Sequence, residues 1–407
     1  MTGRRLRVLA AILLAAALAA CARLIPEAHI QPAPPPLPIV TPLPAITSAL
    51  MAGVTAGPTI ANLGLTSADA SDALASFRES CPRLLVRTDA SGLTQGSDWQ
   101  AACSAAPTWP AGDAARFFDQ FFETAKVGDG NTFVTGYFEP DIAGVRVRQP
   151  GFDVPVYAVP PDLVRAKVGE APPAPSGAQP LGRYDAAGQF LPYFERSEID
   201  DGALANKGLE IAWAADPIEF FFLQIQGSGR LRAPDGSVMR IGYAAQNGRE
   251  YAGIGSLMRA RGLIGTGPGQ YPGSMQGLIQ YLRDFPLEGR ALMRENKSWI
   301  FFKELTGDGP LGALGVPVRA QSSVASDPNF VPLGAPVWLA LDRAEANGLW
   351  VAQDTGGAIK GANRFDSFWG AGDAAKLTAG GMSGRGQALL FLPKGTLARL
   401  GSAAGAR

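Results

Sequence analysis

The residues best suited to chemistry lie at 353–372, QDTGGAIKGANRFDSFWGAG, where Asp354 and Asp366 are separated by Lys360 and Arg364 among glycines. A carboxyl group donates a proton near neutral pH only if its pKa is raised, and burial beside apolar rings does this by disfavouring the charged form. Asp366 stands between Phe365 and the pair Phe368-Trp369, which makes it the leading proton-donor candidate among 36 acidic residues. Asp354, followed by Thr355-Gly356-Gly357, reads as an Asx-type turn or a hydrogen-bonding group that orders the segment. For either aspartate the plain alternative is a solvated turn residue. The segment follows an apolar strand at 349–352 and otherwise reads as loop, with Gly356 and Gly357 allowing close backbone approach to a ligand.

Further polar groups gather upstream. Gln224, Gln226, Ser228 and Arg230 in LQIQGSGR, with Tyr243, Gln246, Asn247 and Tyr251 after them, offer amide, hydroxyl and aromatic surfaces suited to sugars. The same groups also satisfy ordinary barrel turns. Tyr137, Phe138 and Glu139 read equally as a groove wall or as a strand end with a buried aromatic pair, and Trp299 reads as core. The only histidine, His29, precedes the folded body, which excludes histidine-activated nucleophiles and histidine metal sites. With few cysteines and no GxxxxGK loop, neither a metal nor a cofactor is expected.

The elements that must position these residues are mostly short. Phe117, Phe118, Phe121 and Phe122 suggest a helix over 111–124, and 131–140 (NTFVTGYFEP) reads as a strand entering a turn. Helical patterns recur at 217–223, 274–284 and 289–295. From residue 297 onward the runs WIFFKEL, GVPVRA, APVWLALD, LWVAQ and QALLFLP, punctuated by Gly, Pro and Asp, have the rhythm of a small β-barrel. Fifty glycines, 33 prolines and 18% charged residues agree with a turn-rich, mainly β protein, and 407 residues suffice for two domains.

The N-terminus carries a separate message. Residues 1–20 hold Arg4, Arg5 and Arg7, an uncharged apolar run and Leu18-Ala19-Ala20 before Cys21, which reads as a lipoprotein signal peptide with lipidation at Cys21. The run is too short to span a membrane. A Pro-rich stretch at 31–44 within the linker 21–63 should extend roughly 40 Å as polyproline, and a folded body is expected from about Gly64. Without residues 1–20 the chain keeps 33 basic against 36 acidic residues, which argues against nucleic acid. In an oxidising envelope compartment Cys81 and Cys103 are expected to pair.

Several of these segments together carry a resemblance. DTGGAIKG followed by Asn363-Arg364-Phe365-Asp366 and Phe368-Trp369-Gly370 resembles the signature of the membrane-bound lytic murein transglycosylase A family in its C-terminal 3D domain. Residues 135–140 (TGYFEP), 221–231 (FFLQIQGSGRL), 241–255 (IGYAAQNGREYAGIG) and 296–299 (NKSW) agree with that family in the same order. The resemblance implies a discontinuous double-psi β-barrel, from 64–140 and 296–395, around an inserted β-rich domain at 141–295, with 396–407 as a flexible tail. It implies a carbon–oxygen lyase that cleaves the β-1,4 bond between N-acetylmuramic acid and N-acetylglucosamine in peptidoglycan, leaving 1,6-anhydro ends. Asp366 then matches the family's acid, and Asp354 or Lys360 would steady the loop and the developing charge. The implied location is the periplasmic face of the outer membrane, with a monomer as the expected state and cell-wall synthesis or division proteins as candidate partners. A non-catalytic lipoprotein that binds glycan strands is the alternative. An aspartic protease is disfavoured because Asp354-Thr355-Gly356 occurs once, where that chemistry needs two such loops. One departure is Ser322-Ser323, where related barrels often carry Arg-Ser.

Overall fold

In the computed structural model, which describes residues 46–174, 177–307 and 309–405, seventeen strands build three sheets. In chain order these are β1 (Val54–Ala56), β2 (Phe122–Val127), β3 (Asn131–Glu139), β4 (Asp141–Val145), β5 (Val154–Tyr157), β6 (Val164–Arg165), β7 (Leu181–Tyr184), β8 (Phe190–Pro192) and β9 (Glu210–Ala214). They continue with β10 (Ser228–Arg232), β11 (Val238–Gln246), β12 (Ile300–Glu304), β13 (Ser323–Ser326), β14 (Pro336–Leu341), β15 (Gly348–Asp354), β16 (Arg364–Ala371) and β17 (Ser383–Pro393).

The largest sheet closes on itself. Pairing runs β17-β14-β15-β13-β16-β3, and β3 pairs back onto β17, so six strands return to their start with no free edge among them. Two of these pairings, β13 with β15 and β3 with β16, are parallel, and the other four are antiparallel. This is the mainly β, double-psi barrel architecture, with β3 contributed from the sequence before the insert and the remaining barrel strands from after it. Val134, Val324, Val337, Trp350, Phe365 and Leu390 belong to one apolar cluster within it.

The outside of the barrel is covered as well. The helix Ser67–Leu84 begins with the Thr66 hydroxyl accepting from the Asp69 N–H and packs Phe77 against Phe117, Phe122 and Trp99. Leu349 and Val351 of β15 join that aromatic cluster while Trp350 and Ala352 belong to the other, so β15 is buried on both faces and reads as a continuous apolar run. Cys81 on this helix is bonded to Cys103 on Gln100–Ala105.

Between β3 and β13 the chain builds a six-stranded sheet, ordered β12-β11-β10-β4-β9-β5, and a small sheet β6-β7-β8. Phe220, Trp299, Phe301 and Phe302 fill the core of this insert, as expected for Trp299. The helices Pro217–Gln226, Met275–Asp284 and Pro286–Glu295 form where the patterns placed them.

Several expectations are corrected. The folded body begins before Gly64, because Val54–Ala56 pairs with Val127, Lys126 and Ala125 of β2. The helix drawn over 111–124 ends at Phe121, and Phe122 starts β2, where its ring caps the aromatic cluster. GVPVRA is not a strand, and Thr396–Gly405 is helical rather than a loose tail, with Leu397 and Leu400 packed on the barrel core. The segment 353–372 is not all loop, since Arg364–Ala371 forms β16 in the middle of the barrel. The signal peptide, Cys21 and the Pro-rich stretch lie outside the described residues.

Candidate active site

The position of β16 between β13 and β3 determines what surrounds Asp366. Its register partners are Ala325 on β13 and Thr135 on β3, and Ala325 is also the partner of Asp354 at the end of β15. Asp354, Ala325, Asp366 and Thr135 therefore form one row across four strands. Two strand spacings, roughly 10 Å, separate the two aspartates along the backbone. Ala325, between them, is buried.

Beneath the row lies a small apolar patch of Tyr137, Val318, Ala325, Ile359 and Phe368. The Tyr137 and Phe368 rings pack tilted against each other with centroids 5.0 Å apart. Strand geometry corrects the expectation of three flanking rings. Successive side chains point to opposite faces, so Phe365 enters the barrel core and Trp369 packs edge-on against Trp350, leaving Phe368 beside Asp366.

The Asp366 carboxyl is half-buried and has one hydrogen bond among the described residues: the Thr135 hydroxyl donates to Oδ1 at 2.6 Å. Thr135 in turn accepts from Arg364 Nη2 at 2.8 Å, which turns its hydroxyl proton toward the acid. Arg364 is braced by the Phe133 ring, 4.9 Å from its guanidinium carbon, and by the Phe365 carbonyl. Burial pushes Asp366 up to about 6. The Thr135 hydrogen bond and the Arg364 charge oppose the rise, and Asp354 adds to it.

Asp354 is differently placed. Its Oδ1 accepts from the Ala313 and Thr355 N–H groups, both at 2.8 Å, and Oδ2 accepts from the Tyr137 hydroxyl at 3.1 Å. Burial raises its pKa, and these three hydrogen bonds pull it back. The Tyr137 phenol is pushed well above its ordinary value by burial, then by the charges of Asp354 and Asp366. It is therefore a fixed donor.

The insert supplies the facing group. Tyr251 lies over Gly357, where an added Cβ would stand 3.3 Å from the Tyr251 Cβ and Cγ. Its pKa is raised by burial and by the Asp366 charge, and lowered by Arg196.

The structure gathers Asp366, Asp354, Tyr137, Gly356 and Gly357 at this site and disperses other candidates. Lys360 is exposed on the intervening loop. Gln224 is buried and accepts from Arg196 Nη1 at 2.6 Å. Asn247 is fully buried and links Phe194 O, Lys297 O, the Trp299 N–H and the Arg249 N–H. Glu139 is buried against Arg240 at 3.0 Å, with burial raising its pKa and Arg240 opposing. Arg230 pairs with Asp141 at 2.8 Å. The Gln226 side chain accepts from the Phe138 N–H at 3.0 Å, joining insert to barrel. Ser228 is buried at the start of β10, while Gln246 is exposed at the end of β11. Ser322 is buried, and its hydroxyl donates to Asp72 O at 2.9 Å and shares a 2.7 Å hydrogen bond with Ser76, sealing the barrel to the long helix.

Sequence reasoning did not single out Thr135 as a site residue, although its spacing of two from Tyr137 on one strand puts both on the same face. Among the described residues no group of three or more His, Cys, Asp or Glu side chains could hold a metal ion.

Residues 133–303 match the MltA specific insert domain, and residues 322–392 match the 3D domain. A membrane-bound lytic murein transglycosylase A of Vibrio cholerae is 29% identical over 289 residues, which is 66% of this chain and 69% of that protein. The crystal structure of MltA from Neisseria gonorrhoeae in its monoclinic form is 35% identical, with a TM-score of 0.68 over 84% of this chain and 93% of that one. Escherichia coli MltA with bound chitohexaose is 26% identical, with a TM-score of 0.57 over 80% of this chain and 90% of that one.

Proposed function

Because the chain belongs to the membrane-bound lytic murein transglycosylase A family, a family of peptidoglycan lyases, we propose that Asp366 cleaves the β-1,4 bond between N-acetylmuramic acid and N-acetylglucosamine, acting first as acid and then as base. The observation that carries this reading is the contrast between the two aspartates. Asp366 has a pKa near 6 and one oxygen without a hydrogen bond among the described residues, whereas both oxygens of Asp354 are occupied by donors.

The proton moves in two steps. Asp366 gives its proton to the glycosidic oxygen as the bond from that oxygen to C1 of the muramic acid breaks. The resulting carboxylate then takes the proton from the muramic acid's own 6-hydroxyl as its oxygen bonds to C1, which closes the 1,6-anhydro ring and restores the acid. Hydrolytic glycosidases place a second carboxylate to activate water or attack the sugar. The bonding of Asp354 to Tyr137, Ala313 and Thr355 supports a positioning role instead, in which it holds the 354–359 turn and the Tyr137 ring below the sugar. Tyr251 would contact a sugar face.

The chitohexaose bound to the Escherichia coli relative supports a β-1,4-linked glycan as ligand. The relatives are named membrane-bound, and among the described residues no helix is long and apolar enough to cross a membrane. A lipid on Cys21, holding the enzyme to the periplasmic face of the outer membrane, is the matching proposal.

Purified peptidoglycan digested by the full chain in detergent, beside Asp366→Asn, tests the reaction by mass. Anhydromuropeptides from the wild type and none from the variant are expected. Reducing ends would instead identify a hydrolase. Glycan binding without product would favour a binding lipoprotein.

A further inference from the structure

Most arginines of the insert are ion-paired: Arg146, Arg230, Arg240, Arg261 and Arg294 each meet a carboxylate. A group around Phe194 is different. The Arg183 guanidinium lies 4.3 Å from the centre of the Phe194 ring, and Lys207 Nζ lies 5.3 Å from the same ring. Neither cation has a carboxylate within ion-pair distance among the described residues, and Arg183 Nε is buried without a hydrogen-bond partner. Arg165, on the strand paired with β7, is exposed and among the described residues donates only to Gln179 O. Arg165 also lies close enough to the half-exposed Tyr243 for its charge to act on that phenol.

This face is tied mechanically to the reaction site. Asn247 holds the Phe194 carbonyl at 2.8 Å, and Arg249 Nε holds the Tyr193 carbonyl at 2.7 Å. Tyr251, the ring facing Asp366, follows Arg249 by two residues, a chain length of at most about 7 Å.

We propose that Arg183, Lys207 and Arg165 around Phe194 bind the acidic peptide branch that peptidoglycan carries on its muramic acid. The inference rests on the peptidoglycan-cleaving reading and adds a substrate element to it. A guanidinium stacked on an aromatic ring keeps its edge donors in a planar fork, which suits a carboxylate. The neighbouring ammonium accommodates a second acid group. An extended peptide of three or four residues spans roughly 10–14 Å, so it can reach outward from a sugar held at the site. Glycan stripped of its peptide keeps a single lactyl carboxylate on each muramic acid, whereas the peptide carries several acid groups, so three cations with no ion pair among the described residues favour the peptide by charge complementarity.

The test compares the full chain in detergent with an Arg183→Gln/Lys207→Gln variant on two substrates. One is peptide-bearing glycan strands, and the other is the same strands stripped of peptide by an amidase. The wild type is expected to favour peptide-bearing strands, and the variant to lower the ratio of the two kcat/KM values about tenfold, mainly through KM on peptide-bearing strands. An Arg183→Lys/Lys207→Arg variant, which keeps both charges, should retain most of the preference, and thermal melts check that each variant is folded. Equal wild-type rates on both substrates, or a ratio unmoved in the Gln variant, would overturn the proposal while leaving the reaction intact. If the wild type cleaves neither substrate, the underlying reading fails instead.

Discussion

Asp366→Asn is expected to abolish cleavage and yet make the protein more stable at neutral pH. Burial places the Asp366 pKa at about 6, against an ordinary value of 3.8. The folded state therefore holds the proton more tightly than the unfolded chain. Stability from this group is fully present below about pH 4 and is lost as the pH rises toward about 6. A pKa difference of about 2 corresponds to about 3 kcal/mol, and discounting for the partial exposure of the side chain leaves roughly 1–3 kcal/mol. Asparagine keeps an oxygen to accept from Thr135, so the neutral variant loses the penalty and retains the contact. Urea unfolding of both proteins at pH 4 and pH 7.5 gives the answer as a difference of differences, in which titrations common to both cancel. Most of the gap should be absent at pH 4 and present at pH 7.5. A gap of the same size at both pH values, or a variant less stable than the wild type at pH 7.5, would show that the carboxylate ionises without cost and would refute burial as the cause of its raised pKa.

Thr135→Val removes a hydrogen bond that favours the ionised form of Asp366, so the alkaline limb of kcat/KM should move above its wild-type position near pH 6. At about 1.5–3 kcal/mol for a charge-assisted bond, the move is about one pH unit or more. A limb displaced downward would mean that Arg364, released from Thr135, pairs with the acid directly. Asn247→Ala should cost about 3 kcal/mol or more, because four buried hydrogen bonds lose their shared partner. It should leave KM for glycan unchanged at temperatures where the variant is folded, whereas a raised KM with an intact melting temperature would restore a sugar contact. Replacing both Cys81 and Cys103 with alanine opens a crosslink between residues 22 apart, expected to lower stability by about 3 kcal/mol. A melt indifferent to the change would show that aromatic packing alone holds that helix pair.

The sequence made the type of chemistry at Asp366 legible but not its support. Adjacent rings in a string of letters look like a shared environment, yet on β16 the alternation of side chains sends Phe365 and Trp369 away and keeps only Phe368. The hydroxyl that holds the acid is 231 residues distant, and a parallel pairing of that span leaves no local trace. Barrel rhythm was legible from short apolar runs. Closure was not, because it depends on β3 joining β16 and β17 across the whole insert. The polar residues of the insert are hard to read for a related reason. Amides at Gln224 and Asn247 look the same in the sequence as sugar-binding amides, and only the structure shows Gln224 bonded to the buried Arg196 guanidinium and Asn247 bonded to backbone groups.

The short run Thr135-Gly136-Tyr137 shows how one strand can serve two purposes. Thr135 and Tyr137 face the site, one on Asp366 and the other on Asp354. Gly136 between them faces the helix Asp373–Gly381, where a Cβ would lie 2.9 Å from the Ala379 Cα, the Met382 Cβ and the Trp369 Nε1. Any larger residue would lift that helix away from β3, and with it the strand that carries both hydroxyls. The glycine is thus needed because of the helix behind the strand, and the hydroxyls because of the acids in front of it. Strand periodicity binds the two requirements into three consecutive residues.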